Sequence, residues 1–246
     1  PTEPHSDSYY AGPVKDTYEE RRRKYLDFVL QNPLNADQRT MWRELMVMAA
    51  GGEPHEGKIF QVLNFISERH DCSDFRMHPV LRLVYQFDPN RKKPTPDGRQ
   101  LEIKHPPSQE VLDAAKATIL HFKYWPSEPG IDSLCSWTEN HQILYASAGY
   151  LAGQLYPDEV FHNSGETGRE KMAINKHRIL RWMDLRFRSG FSEWLSNVYY
   201  EEDIAPLLSL HDLCEDEEIR GRAKMIIDLM LLDIALNQYQ GVLGSS

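Results

Sequence analysis

Apolar residues in this chain recur every three or four positions rather than every second one, a rhythm that predicts helices from Asp16 almost to the end. The first places Tyr18, Tyr25, Leu26, Val29 and Leu30 on one face and the charged Glu19, Glu20 and Arg21 to Lys24 on the other, and Asn32-Pro33 breaks it. A second runs through Met41, Trp42, Leu45, Met46 and Ala49 to Gly51-Gly52. A third, from Pro54 to His70, turns Ile59, Phe60, Leu63 and Ile66 inward, and a fourth, from Asp74 to Phe87, carries Pro79 near its first turn. Residues 88–106 are polar and rich in Pro, Asn, Asp and Gly, so a long loop or short hairpin is expected there. Ser108 opens a helix through Val111, Ala114, Ala115, Ile119 and Phe122, and further helices are expected over Glu170 to Arg188, Ile204 to Cys214 and Glu217 to Tyr239. No segment alternates long enough to predict a strand.

The strongest helical run opens at Ser136-Trp137-Thr138-Glu139-Asn140-His141-Gln142. Ser136 followed three residues later by Glu139 fits a capping box, which sets the expected start. Leu144, Ala148, Leu151 and Leu155 then repeat at helical spacing. Asn140 lies four residues before Leu144 and extends the stripe inward, with His141 beside it. An uncharged polar pair at the head of a buried face either caps structure or faces a cleft, where the helix dipole favours an anion.

With 246 residues, 41% of them hydrophobic and 11% aromatic, the chain can bury a substantial core. Eight or more consecutive helices without heptads predict an all-α fold of antiparallel pairs, arranged as a bundle, solenoid or toroid. Residues 1–15 are expected to be a tail before one helical domain over 16–246, and the final Gly-Ser turn reads as though a longer chain continues. A formal charge of −9 argues against nucleic-acid binding by broad phosphate neutralisation. No apolar run approaches the ~20 residues of a membrane span. No signal peptide is visible, but the chain opens on Pro1 rather than Met, so the compartment stays unassigned. Cys72, Cys135 and Cys214 are far apart in sequence, fit no metal pattern and are expected to be reduced or buried thiols.

Over residues 107–246 the chain resembles polysaccharide lyases with an (α/α) toroid, the alginate lyases and heparinase II/III-like enzymes. The likeness rests on adjacent Asn140-His141, on Arg188 before a Gly-Phe turn, and on Tyr199 in Asn197-Val198-Tyr199-Tyr200 followed by Pro206-Leu207. It implies an incomplete toroid and β-elimination on a uronate-containing polysaccharide, with Asn140, His141, Tyr199 and Arg188 as catalytic residues. Trp137, Glu139, Tyr200, Glu202 and Arg186 are the expected substrate contacts. The chemistry suits the residue types. Removing a poorly acidic proton beside a carboxylate needs preorganised donors for the developing charge. Asn140 donates without a competing charge, and His141 titrates near neutrality. Tyr199 can protonate the leaving oxygen if cations lower its pKa. No cofactor or metal is expected. The expected partner is the polysaccharide, with neither nucleic acid nor membrane, and with a further C-terminal domain.

The same residues also have plainer readings. Asn140, His141 and Tyr199 can be buried polar groups satisfied by neighbouring helices, and the Arg cluster can complement an acidic surface. A toroid glycoside hydrolase would instead draw an acid and a base from Glu139, Glu193, Glu202 and Asp203. A non-catalytic helical scaffold would bury Asn140, His141 and Tyr199 apart from one another.

Overall fold

The structure, a computed structural model, describes residues 16–32, 40–91, 103–239 and 242–243. The expected N-terminal tail and most of the turn-rich 88–106 stretch lie outside the described residues. What is described is all-α, with one short antiparallel pair, β1 (Gln238–Tyr239) with β2 (Val242–Leu243).

Helix α1 (Tyr18–Gln31) starts at Thr17, whose hydroxyl accepts from the Glu20 N–H while the Glu20 carboxylate accepts from the Thr17 N–H. Its expected apolar stripe does not become core: Val29 is buried, whereas Tyr18, Tyr25, Phe28 and Leu30 stay exposed. Helices α2 (Thr40–Ala49) and α3 (Glu56–Ser67) do turn their stripes inward, burying Met41, Leu45 and Met48 and Ile59, Val62, Leu63 and Ile66. Helix α4 (Ser73–Arg82) runs on into a π-helical turn over Leu83–Phe87. Pro79 sits inside α4 rather than in its first turn. It can donate no backbone hydrogen bond there. Ser108 caps α5 (Gln109–His121) as expected.

At the centre lies α6 (Glu139–Leu155), with fifteen of its seventeen residues buried. A helix that is apolar all round belongs inside a fold. It packs against α4, α7 (Gly168–Ser189) and α8 (Tyr199–Leu213), while α9 (Glu217–Asn237) covers α7 and α8. Small residues permit the closest of these approaches. A Cβ on Gly153 would run into the Gly168 carbonyl, and one on Gly168 into the Tyr156 carbonyl. This hub around α6 does not itself establish a ring of antiparallel pairs.

The buried polar groups along α6 are tied across to its neighbours. His78 Nε2 lies 3.1 Å from the Leu144 carbonyl and 3.2 Å from Ser147 Oγ. Burial pushes the His78 pKa down to about 4, so the ring is neutral. The Tyr85 hydroxyl donates to the Leu151 carbonyl at 2.8 Å, and Gln154 Nε2 donates to Tyr85 Oη and to the Leu213 carbonyl. These bonds join α4, α6 and α8 into one frame.

The loop into α6 is held by buried lysines. Lys123 Nζ meets Asp132 at 2.8 Å, and Lys171 Nζ meets Glu128 at 2.7 Å. Asn163 also donates to Glu128. A buried Lys with a paired carboxylate fixes a loop's path, because either charge left alone would be costly.

Helix α9 leaves Met225, Leu229, Leu231, Leu232 and Leu236 exposed on its outer side. Among the described residues no helix is long and apolar enough to cross a membrane.

Candidate functional site

Helix α6 begins two residues later than its capping pattern suggested. Thr138, not Ser136, is the N-cap, and its hydroxyl accepts from the His141 N–H. The nearer β-hydroxyl displaces the Ser136 box, and Glu139 is released to point elsewhere.

Asn140 and His141 are both held by one end. Asn140 Oδ1 accepts from the His141 N–H at 2.7 Å and from the Thr138 hydroxyl, so the carbonyl side of its amide is occupied. Its NH2 is the end left to donate. His141 Nδ1 lies 2.5 Å from Asp74 Oδ2, with Asp74 fully buried in the first turn of α4. A carboxylate accepts from Nδ1–H, which leaves Nε2 with the lone pair. Among the described residues the ring's hydrogen bond is the one at Nδ1, and none is made at Nε2. Burial of the ring works against its protonated form, but the Asp74 hydrogen bond and charge outweigh it. With Asp71 and Glu202 adding to them, the His141 pKa is held above the usual imidazole value.

The ring is boxed by aromatics. Phe75 lies 5.0 Å from it, tilted, and Tyr145, one turn along α6, stacks at 6.4 Å between centroids. The Tyr145 hydroxyl and Asp74 Oδ1 are buried and find no partner among the described residues. Burial and then the Asp74 charge push the Tyr145 phenol far up, so it is a donor and never a phenolate near neutrality.

On the other side of the same turn, Glu139 is fully occupied. Its carboxylate accepts from the Ser192 N–H at 3.0 Å, the Ser192 hydroxyl at 2.7 Å and the Glu193 N–H at 3.2 Å, and it pairs with Arg186 of α7. Trp182 Nε1 donates to the Glu139 carbonyl at 2.8 Å. Glu139 and Arg186, both expected as substrate contacts, pin the 191–193 turn to the head of α6. Beside them Asp203 is buried with neither oxygen hydrogen-bonded among the described residues. Burial lifts its pKa to about 7, against the pull of Arg186 and with help from Glu193 and Glu202.

The remaining expected residues divide. Tyr199 falls in the first turn of α8, not in the segment before it, and is exposed. Glu202 lies one turn on, on the same face, and its charge reaches His141. Tyr200 is buried against Phe191 with its hydroxyl 3.5 Å from Asp233, away from that face. Arg188 is exposed and pairs with Asp184 on its own helix, whereas Arg186 turns inward to Glu139. Trp137 is 75% exposed just before α6, where a flat ring is free to stack.

The sequence reading missed Asp74 and Tyr145. Asp74 looks like an ordinary acidic residue in a helix's first turn, and only the packing of α4 on α6 brings it to His141. Tyr145 carried a signal, since it lies four residues after His141, but a core aromatic at helical spacing looks the same. Set against family models, curated proteins and solved structures, the chain finds no match.

Proposed function

We propose that the chain is a carbohydrate-active enzyme of the polysaccharide lyase kind, cleaving a uronate-containing polysaccharide by β-elimination. The observation that carries this reading is the half-occupied pair. Asn140 and His141 are each oriented through one end by the fold and keep the other, the amide NH2 and imidazole Nε2, for a ligand. Nε2 takes the proton from the carbon next to the uronate carboxylate. The electrons of that C–H bond become the new double bond as the glycosidic C–O bond breaks. Asn140 donates to the carboxylate as it gains enolate character. Tyr199, at the exposed end of α8, protonates the leaving oxygen. Trp137 stacks on a neighbouring sugar. An (α/α) toroid is the fold that goes with this reading.

A second reading has its own support. Carboxylates dominate the surroundings, with Asp71, Asp74 and Glu202 acting on His141, while Arg188 pairs with Asp184 on its own helix. Asp203, with a pKa of about 7, has the protonation that a glycosidase acid needs, with Glu193 and Glu202 as neighbouring carboxylates. Asp203 as the acid, with Glu193 or Glu202 as its carboxylate partner, would act on a neutral polymer.

One experiment separates them. The chain is offered uronate and neutral polysaccharides, with ultraviolet absorbance of an unsaturated product and new reducing ends both followed. The lyase reading expects absorbance on a uronate polymer, lost by about 10²-fold or more in His141→Gln and in Tyr199→Phe. Reducing ends without absorbance, lost in Asp203→Asn, would support the hydrolase. Activity on neither would leave a non-catalytic scaffold.

A further inference from the structure

Cys72 and Cys135 are far apart in the chain, but the fold brings them to one carboxylate oxygen. Asp71 Oδ1 accepts from the Cys72 N–H at 3.0 Å and from the Cys135 N–H at 2.9 Å. The two backbone nitrogens are therefore no more than about 6 Å apart, compatible with the ~4.4–6.8 Å between Cα atoms that a disulfide spans. Both residues are free thiols, part-buried and so within reach of a small reagent, unlike the buried Cys214. Each lies in the field of the same two carboxylates, Asp71 and Asp74, and a charge on Cys135 is felt at Cys72.

We infer that Cys72 and Cys135 form a reversible disulfide, which cross-links the loop leading into α6 to the N-terminus of α4 beside the Asp74–His141 pair. The oxidant is a low-molecular-weight disulfide. One cysteine, as its thiolate, attacks a sulfur of the reagent, forming a mixed disulfide and releasing one reagent thiol. The second cysteine then attacks the protein sulfur of that mixed disulfide and releases the other. The protein gives up two hydrogens, which end on the two reagent thiols.

The surroundings set the character of this bond. Burial first, then Asp71 and Asp74, push the Cys72 thiol up to about 11, and burial raises Cys135 as well. Such thiols exchange slowly, and their reduced form gains nothing from thiolate stabilisation, so the disulfide once formed is a stable one. It would fix the approach to α6 from the side that presents Trp137 and Asn140. The inference is independent of which substrate the site takes.

The test is incubation of the reduced chain with oxidised glutathione, followed by thiol counting under denaturing conditions, peptide mapping and a melting curve. The expected result is a fall from three free thiols to one. It should be accompanied by a single cross-linked peptide joining residues 72 and 135, and by a Tm higher by roughly 5 °C. Cys214→Ser should form the same cross-link, and Cys72→Ser and Cys135→Ser should each lose it. If one of these two fails to fold, the other makes the same distinction. Three thiols that remain free, glutathione adducts on both residues without an internal bond, or a cross-link through Cys214 would each overturn the inference.

Discussion

Glu139 and His141 stand two residues apart in the first turn of α6, yet the fold treats them in opposite ways. Glu139 faces α7 and the turn that follows it, and meets two backbone N–H groups, a hydroxyl and the Arg186 guanidinium. His141 faces α4, where Asp74 takes one ring nitrogen and nothing described takes the other. Asn140, between them, is half used in the same manner. A buried polar residue whose every lone pair and proton is matched is spent on the fold, whereas one held at a single end keeps a donor or an acceptor unused.

The largest effect is expected from removing Glu139. Glu139→Ala strands Arg186 and frees the 191–193 turn, and urea unfolding should show a loss of about 3–5 kcal/mol. A loss under 1 kcal/mol would mean that the network is not structural. Asp203 provides a smaller, pH-dependent effect. Its pKa is raised in the folded chain, so the stability it confers as a neutral acid is full below about pH 4 and is lost as pH rises through about 7. Melting curves from pH 5 to 8 should therefore fall more steeply for the natural chain than for Asp203→Asn, by about 2 kcal/mol over the interval. Equal slopes would contradict the shift. Smallest is Arg188→Ala. An exposed arginine paired with Asp184 on its own helix should cost less than about 0.5 kcal/mol and leave activity unchanged. A large loss of activity would return Arg188 to the site.

Much of the fold was legible because core helices advertise themselves by period. The stripes of α2, α3 and α6 all turned inward. The stripe of α1 has the same pattern and stays exposed, since periodicity shows that a face can be buried and not that a partner is there. In the site, adjacency in sequence made Asn140-His141 conspicuous. What stayed hidden depends on long-range packing: Asp74 reaches His141 only because α4 lies against α6, and Cys72 meets Cys135 only through Asp71. The capping box at Ser136 failed for a local reason, because Thr138 offered a competing hydroxyl closer to the helix. The arginines illustrate a third limit. Arg186 and Arg188 are both in the last turn of α7, and two positions of rotation decide that one meets Glu139 and the other solvent.

Whether Asp74 orients His141 and leaves Nε2 free to exchange a proton can be measured by a nitrogen NMR titration of the His141 ring without any substrate. The expected result is a proton on Nδ1 throughout, titration at Nε2, and a pKa above the ordinary imidazole value that falls in Asp74→Asn. A neutral ring carrying its proton on Nε2, or a pKa indifferent to Asp74→Asn, would contradict it.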